Sequence, residues 1–580
     1  LLQGRAYVNS SAADIERGQV HGGFTCMDGV IMEAVVPRIQ HFIRAEYSRY
    51  YTMHGAAMIK GLLRPDTYRH ETDTIRLVET HCAWVLLTGQ YVYKVKKPVN
   101  FGFLDYSTLE KRHFYCTEEV RLNRRFAPDI YLGVVTITGT PAHPRLDGDG
   151  ELLDYAVRMR QFPDNSLLSQ LAARHVLDTT HIDQLVETLG NFHREADRAT
   201  PADKLGDPAH THHWVRENYR HIEPLLTSAD QPDTVEPLRQ WSEDEYTRLQ
   251  DRLQARKDAG AIRECHGDLH LGNITLLDGR VTPFDCIEFN AELRWIDVFS
   301  EVAFLLMDLD DHGLMQFAHR FLNGYLQDSG DYAGLEMLRY YRVYRAMVRA
   351  KVAVLTRQQT ATGSAEHVRA SGEYRQYVKL AQTYTMQERT VMVITRGLSG
   401  SGKSTVAREL CERTGMIQLR SDVERKRRAG LSARQSSRSG PGSGLYSADR
   451  TADTYQHLGT LARMVLDAGY SVIVDATFLQ RAHRDHFRAL AATTGTPFLM
   501  LECRAENSEL ERRILSRNAG RNDASEANLE VLHTQQATDQ PLAGEELQYL
   551  LRVDTQTMSN ADIHALFQDW MKATDRSPGL

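Results

Sequence analysis

At 580 residues the chain exceeds what one ordinary hydrophobic core can hold, and its length corresponds to about three or four domain-sized units. Apolar residues make up 42% and charged residues 25%, the composition of a water-soluble globular protein, and a net charge of −7 supplies no general attraction to DNA or to an anionic membrane. Seven cysteines scattered singly, with no CxxC, argue against a secreted disulfide scaffold and suit a reducing cytosol, while apolar runs such as 302–307 are too short to span a bilayer.

Residues 1–57 lack a periodic pattern and read as an N-terminal extension; a more orderly stretch opens at Met58. Two β-prone runs around a Gly-containing turn predict a hairpin over 81–97. Helical spacing follows over 109–126, a strand over 154–159, and helices near 181–197, 235–257 and 334–357. Together these describe a β-rich lobe followed by a long helical region. His210, His212 and His213 lack the i, i+4 spacing of a helical zinc site and read as a solvated cluster ahead of a helix at Trp214. His193 reads as a packed or capping residue.

The stretch HGDLHLGN at 266–273 carries the most chemistry in this part of the chain. Asp268 followed five residues later by Asn273 is the spacing of a phosphotransferase catalytic loop: the Asp takes the acceptor's proton, and the Asn places an oxygen on Mg²⁺. An apolar run, the turn dipeptide Asp278-Gly279 and a second apolar run then lead to Asp285. Folding that hairpin about its turn returns Asp285 to Asn273, so two hard oxygen ligands suited to Mg²⁺ converge. Cys286 beside it reads as a small buried residue.

Residues 358–390 form a boundary with a helix through about Met386, and a second alternation of strands and helices begins at Val391. There an apolar strand runs into Gly397, Gly400, Gly402, Lys403, Ser404 and Thr405, a GxxxxGK[ST] loop opening a helix. Such a loop wraps phosphates with its N–H groups; Lys403 reaches the β/γ-phosphates and Ser404 holds Mg²⁺. The strand 471–475 ends in a single acid, Asp475, a candidate metal ligand with no second acid after it, which favours group transfer over hydrolysis. Residues 432–447, rich in Ser, Arg and Gly, read as flexible, and the run 425–428 reads as a solvated basic helix face. Arg513, Arg517 and Arg521 share one helix face by their spacing of four.

Two resemblances follow from these motifs. HGDLHLGN, the later PFDCIEF, the lysine strand YVYKVKKP and the helix EEVRLNRR resemble the aminoglycoside-phosphotransferase family over about residues 58–350. The whole chain resembles bacterial proteins in which such a domain precedes a P-loop kinase domain. That implies a bilobal kinase-like fold over 58–357, a helical linker over 358–390 and a parallel α/β P-loop domain over 391–580. By the same resemblance Lys94 pairs the ATP phosphates and Glu119 holds it, with Lys96 and Glu118 as rivals. Asp268 is then the base, Asn273 and Asp285 the Mg²⁺ ligands, residues 154–162 the hinge against adenine, and Asp297 a brace of the catalytic loop, with a plain helix N-cap as its alternative. In the second domain, RSDVER resembles P-loop small-molecule and polynucleotide kinases and zeta-type toxins, which implies Asp422 as base and Arg425 as substrate anchor. A lid helix would bring Arg517 to the transferring phosphate. The implied function is ATP- and Mg²⁺-dependent transfer to hydroxyl groups of small molecules, with an aminoglycoside- or sugar-like acceptor in the first domain. Alternatives for the second are a polynucleotide 5′-hydroxyl or a nucleotide sugar, and either domain could be a nucleotide sensor. Nucleic acid enters only through that alternative, and no membrane partner is expected.

Overall fold

The computed structural model describes residues 55–576 except 73, 103, 227–234, 434, 438, 440–442 and 521–523. Of the expected extension 1–57, residues 1–54 lie outside the described residues, as does Arg521. The chain divides into two compact units. The first takes in Leu1–Thr88, Lys94–Arg112 and Val135–Ala156, the second Gly89–Tyr93, His113–Val134 and Val157–Leu580.

The first unit takes in most of a six-stranded sheet. Its strands β1 (Arg76–Glu79), β2 (Ala83–Leu87), β3 (Tyr91–Lys96), β4 (Tyr131–Thr140), β5 (His143–Leu146) and β6 (Leu152–Arg160) lie in the order β1-β2-β3-β6-β4-β5. Alternating side chains give it a buried face that includes Leu86, Val95, Ile137 and Ala156. Asp154 sits in that unit as a buried partner of the Arg112 guanidinium, 2.9 Å away. Burial pushes its carboxyl upward, and the arginine opposes the shift.

Most of the second unit is helical up to Thr385. The helices Thr179–Glu195, Val235–Asp258 and Leu335–Gln359 fall where the apolar spacing places them. The first starts at a capping box in which Asp178 accepts from the backbone of Thr180 and His181. The helix Ala365–Thr385, expected as a linker, lies along Leu335–Gln359 and buries Tyr374, Tyr377, Val378 and Ala381. Two short antiparallel ladders punctuate the helices: β7 (Ile262–Glu264) with β10 (Trp295–Asp297), and β8 (Ile274–Leu277) with β9 (Arg280–Pro283).

Beyond them a parallel sheet is formed by β11 (Met392–Arg396), β12 (Ile417–Arg420), β13 (Val472–Asp475), β14 (Phe498–Arg504) and β15 (Leu550–Asp554), in the order β12-β13-β11-β14-β15. Both faces are covered, which is why its strands read as continuous apolar runs. Val391, Val393 and Ile473 pack with Ile563 and Phe567 on one side. Met392, Ile394, Ile417 and Val474 join a core on the other side that continues through the kinase-like helices to Leu168. The kinase-like helices and the P-loop sheet therefore share one hydrophobic core.

Two surface readings are corrected. His212 is not solvated: it is buried in the helix Pro208–Ile222, stacked on Tyr246 at 3.9 Å and hydrogen-bonded to Tyr340 and Glu243. Its burial partners come from helices and lie 31 or more residues away, so local spacing carried no sign of them. The run 425–428 is not a solvated face either. Lys426 is buried and bonds to the Ala433 carbonyl, and Arg427 pairs with the buried Glu424. The segment 432–447 is tied at Ser437 and Tyr446 to Glu526, with Ser437 N–H donating at 2.6 Å; its residues 434, 438 and 440–442 lie outside the described residues. Among the described residues no helix is long and apolar enough to cross a membrane.

Candidate active sites

The catalytic-loop motif folds into a strapped turn. Asn273 donates from Nδ2 to the Asp268 carbonyl at 3.0 Å and to its carboxylate at 3.1 Å. The expected hairpin is present: Asp278 and Gly279 both take positive φ at its turn, and the Phe284 N–H bonds the Asn273 carbonyl at 2.9 Å. That closure returns Asp285 to the loop. Asp285 itself is left-handed, with φ 66°, and its N–H donates to the Tyr131 hydroxyl at 3.1 Å. A non-glycine residue in this region marks a position whose geometry is set by its surroundings. Phe162 meets the ring of Phe284 edge-on next to it.

Burial works against ionisation of Asp268, yet His270, Arg349 and His266 outweigh it and hold the carboxyl well below the usual range. Asp268 is thus a carboxylate at neutral pH and can accept a hydroxyl proton. Its weak basicity suits a loose phosphoryl-transfer transition state, in which orienting the hydroxyl matters more than early deprotonation.

The loop's backbone is held by groups that the motif does not contain. The buried Glu301 carboxylate accepts from the N–H groups of His266 and Gly267 at 2.6 and 2.9 Å, and Asp308 accepts from Leu271 at 2.8 Å. His193 bridges Glu301 and the Tyr325 hydroxyl at 2.8 Å on each side. Arg345 donates to the Gly267 carbonyl at 3.0 Å. Gly267 has φ 89°, and a Cβ there would lie 2.8 Å from the Leu293 carbonyl oxygen, so the turn requires glycine. Glu301 and Asp308 were missed in the sequence. Their signal was two acids seven residues apart in a helix, Val298–Asp311, that is apolar nearly all round. Asp297, for which a helix N-cap was the alternative to a brace of the loop, caps that helix at the Phe299 N–H and pairs with Arg256.

Of the remaining kinase-like candidates, Lys94 lies half-buried in β3, while Lys96 is buried with its ammonium 4.7 Å over the Tyr106 ring. Glu119 is wholly buried in the helix Leu109–Asn123, whereas Glu118 pairs with Arg121. Cys286 is buried, and burial pushes its thiol up.

The P-loop residues line a cavity of about 580 Å³. Gly397, Gly400 and Gly402 all have positive φ, and a Cβ on Gly397 would lie 2.4 Å from the Cys503 carbonyl oxygen. The helix Lys403–Thr414 starts directly after Gly402. The Lys403 ammonium donates to the Leu398 carbonyl at 2.7 Å; burial pushes it below its ordinary value, with Asp475 and Asp422 opposing. Burial likewise pushes the Asp475 carboxyl up, opposed by Arg420, by the hydrogen-bonding hydroxyl of Ser404 and by Lys403. Ser404 and Asp475 thus offer adjacent oxygens at the cavity wall, with Thr405 beside them.

Asp422 and Arg425, both on the helix Ser421–Arg428, reach the same cavity as Arg517, which comes from the helix Asn507–Gly520. Arg425 stacks its guanidinium 4.7 Å over Tyr446. Arg517 donates to the Ala527 carbonyl at 2.8 Å, and its Nε is buried without a hydrogen-bond partner among the described residues. Arg513, on the same helix, Asn507–Gly520, is held by Glu509, Thr555 and the Gly400 carbonyl, which makes it a support of the loop.

Comparison with known proteins matches residues 138–338 to the phosphotransferase enzyme family and residues 392–542 to the AAA domain. An uncharacterized protein of Mycobacterium tuberculosis is 32% identical over 463 residues, covering 79% of this chain and 89% of that protein; one of Mycobacterium bovis matches to the same extent. Similar solved structures include the amicoumacin kinase hAmiN, 13% identical over 58% of this chain and 95% of that one, with a TM-score of 0.35. Another is the Mycobacterium tuberculosis APS kinase CysC, 23% identical over 32% and 98%, with a TM-score of 0.24. The chain belongs to the bacterial family that joins an aminoglycoside-phosphotransferase-like domain to a P-loop kinase domain, and it is a phosphotransferase.

Proposed function

We propose that the chain carries two separate ATP-dependent sites, each transferring a phosphoryl group to the hydroxyl of a small molecule. The observation that carries this reading is that both sites present an aspartate where an acceptor could sit: Asp268 beside Asn273, and Asp422 in one cavity with Lys403, Arg425 and Arg517. At each site the acceptor oxygen would attack the γ-phosphorus as the bond to the β–γ bridging oxygen breaks. ADP leaves, and the hydroxyl proton passes to the aspartate. Arg517 and Lys403 would hold the phosphate oxygens, and Arg425 would anchor the acceptor. By the family resemblance Lys94 is the proposed phosphate-contacting lysine of the first domain.

The donor sets fit Mg²⁺. Asn273 uses its Nδ2 on Asp268, which leaves its side-chain oxygen for a cation, the hairpin returns Asp285 to the same loop, and the Ser404 hydroxyl bonds Asp475. Held there, the ion would neutralise phosphate charge. An aminoglycoside or other sugar-like hydroxyl is the proposed acceptor class for the first site. A screen of γ-labelled ATP against sugars, aminoglycosides, nucleosides, nucleotide sugars and 5′-hydroxyl RNA ends tests the proposal. Labelled product from at least one small-molecule class is expected; bound ATP with no product in any class would make both sites sensors.

A further inference from the structure

We infer that Asn323, on the helix Met315–Ser329 of the kinase-like domain, is a positioning residue of the P-loop site, acting through Gln418 on Asp475. The inference rests on the P-loop phosphotransfer reading above. β12 is the edge strand of the parallel sheet. Its Ile417 N–H bonds the Ser471 carbonyl inside the sheet, so by strand alternation the Met416 carbonyl and the Gln418 N–H face outward. Buried edge groups of this kind need partners. Both find theirs in one side chain from the other domain: Asn323 donates from Nδ2 to the Met416 carbonyl at 3.0 Å and accepts from the Gln418 N–H at 2.7 Å. Its amide behaves as one residue of an added strand, and it is itself buried, 7% exposed.

The Gln418 side chain then turns inward, 3% exposed, and donates from Nε2 to Asp475 Oδ2 at 3.0 Å. That bond fixes which way the carboxylate faces Ser404. The same helix secures its grip nearby: His319 meets the Glu412 carbonyl at 2.8 Å, and Arg320 pairs with the Glu412 side chain at 2.5 Å at the end of the P-loop helix. Just past it, Tyr332 donates to the buried Glu424 at 3.0 Å, two residues from Asp422. The P-loop site is thus oriented by residues from outside the P-loop domain, as partners behind a metal ligand orient it.

The test uses the full chain and binding of a fluorescent N-methylanthraniloyl-ATP, titrated with Mg²⁺; signal lost in Lys403→Ala defines the P-loop site. Asn323→Leu keeps the side chain's size and removes both bonds. It is expected to raise the Mg²⁺ midpoint about tenfold while leaving Mg²⁺-free nucleotide binding unchanged. Gln418→Leu should give the same shift, and the double variant no more than either alone. Asn323→Ser, whose hydroxyl can still accept from the Gln418 N–H, should fall between. Fully additive shifts, an unchanged midpoint, or an equal loss of Mg²⁺-free binding would overturn the assignment. Absence of any Lys403-dependent signal in the unsubstituted chain would overturn the P-loop reading itself, and the role of Asn323 with it.

Discussion

The two sites solve the same problem with different parts of the chain. The P-loop is shaped by its own backbone: three left-handed glycines and a helix N-terminus form the phosphate cradle within about nine consecutive residues. The HGD loop has no such self-sufficiency. Its N–H groups are fixed by the buried carboxylates of Glu301 and Asp308, which lie some thirty-five residues further along the chain. One site is organised locally and the other by tertiary contact, so damage should spread differently in the two.

The largest expected effect tests their independence. Asp268→Ala should lower turnover of the first acceptor by at least about 10²-fold and leave the second unchanged, and Asp422→Ala should do the reverse. Product assays with each acceptor measure both. Loss of both activities in one variant would mean that the two sites work as one.

A smaller effect separates self-supported from strapped loops. Glu301→Gln keeps the shape but removes the charge that accepts from His266 and Gly267, leaving His193 without its carboxylate partner. We expect about 2 kcal/mol of lost stability by denaturant melting, together with a fall in kcat at the Asp268 site and none at the P-loop. An equal fall at both sites would contradict the local role.

The smallest effect concerns pH. Glu264, buried in β7 just before the loop, is met by Arg121, Arg125 and Arg294 at 2.8 to 3.2 Å. Despite burial, these arginines lower its carboxyl from 4.5 to about 2. A depressed carboxyl contributes stability above its unfolded value and loses it as pH falls toward the folded one. Stability should therefore decline between about pH 4.5 and 2, by on the order of 2 kcal/mol from this group. Glu264→Gln should flatten that part of the profile; an unchanged profile would place the acid sensitivity elsewhere.

How much of this was legible in the sequence follows the same division. The P-loop, the catalytic Asp–Asn spacing and the hairpin to Asp285 are contiguous, so periodicity and turn chemistry are enough to reveal them. Asp422, Arg425 and Arg517 were marked by resemblance, and the fold brings them to one cavity. Glu301, Asp308 and Asn323 were invisible because each acts on backbone groups far along the chain, and an acid or amide in an apolar helix names no partner. The run 425–428 misled for a related reason. Its charges looked solvated, but Arg427 and Lys426 answer Glu424 and Glu526 inside the fold.

The presence of two nucleotide sites is tested most directly by stoichiometry. Equilibrium dialysis with a non-hydrolysable ATP analogue and Mg²⁺ should find two molecules bound per chain, falling to one in Lys403→Ala. One molecule per chain before substitution, or none after it, would contradict two separate sites.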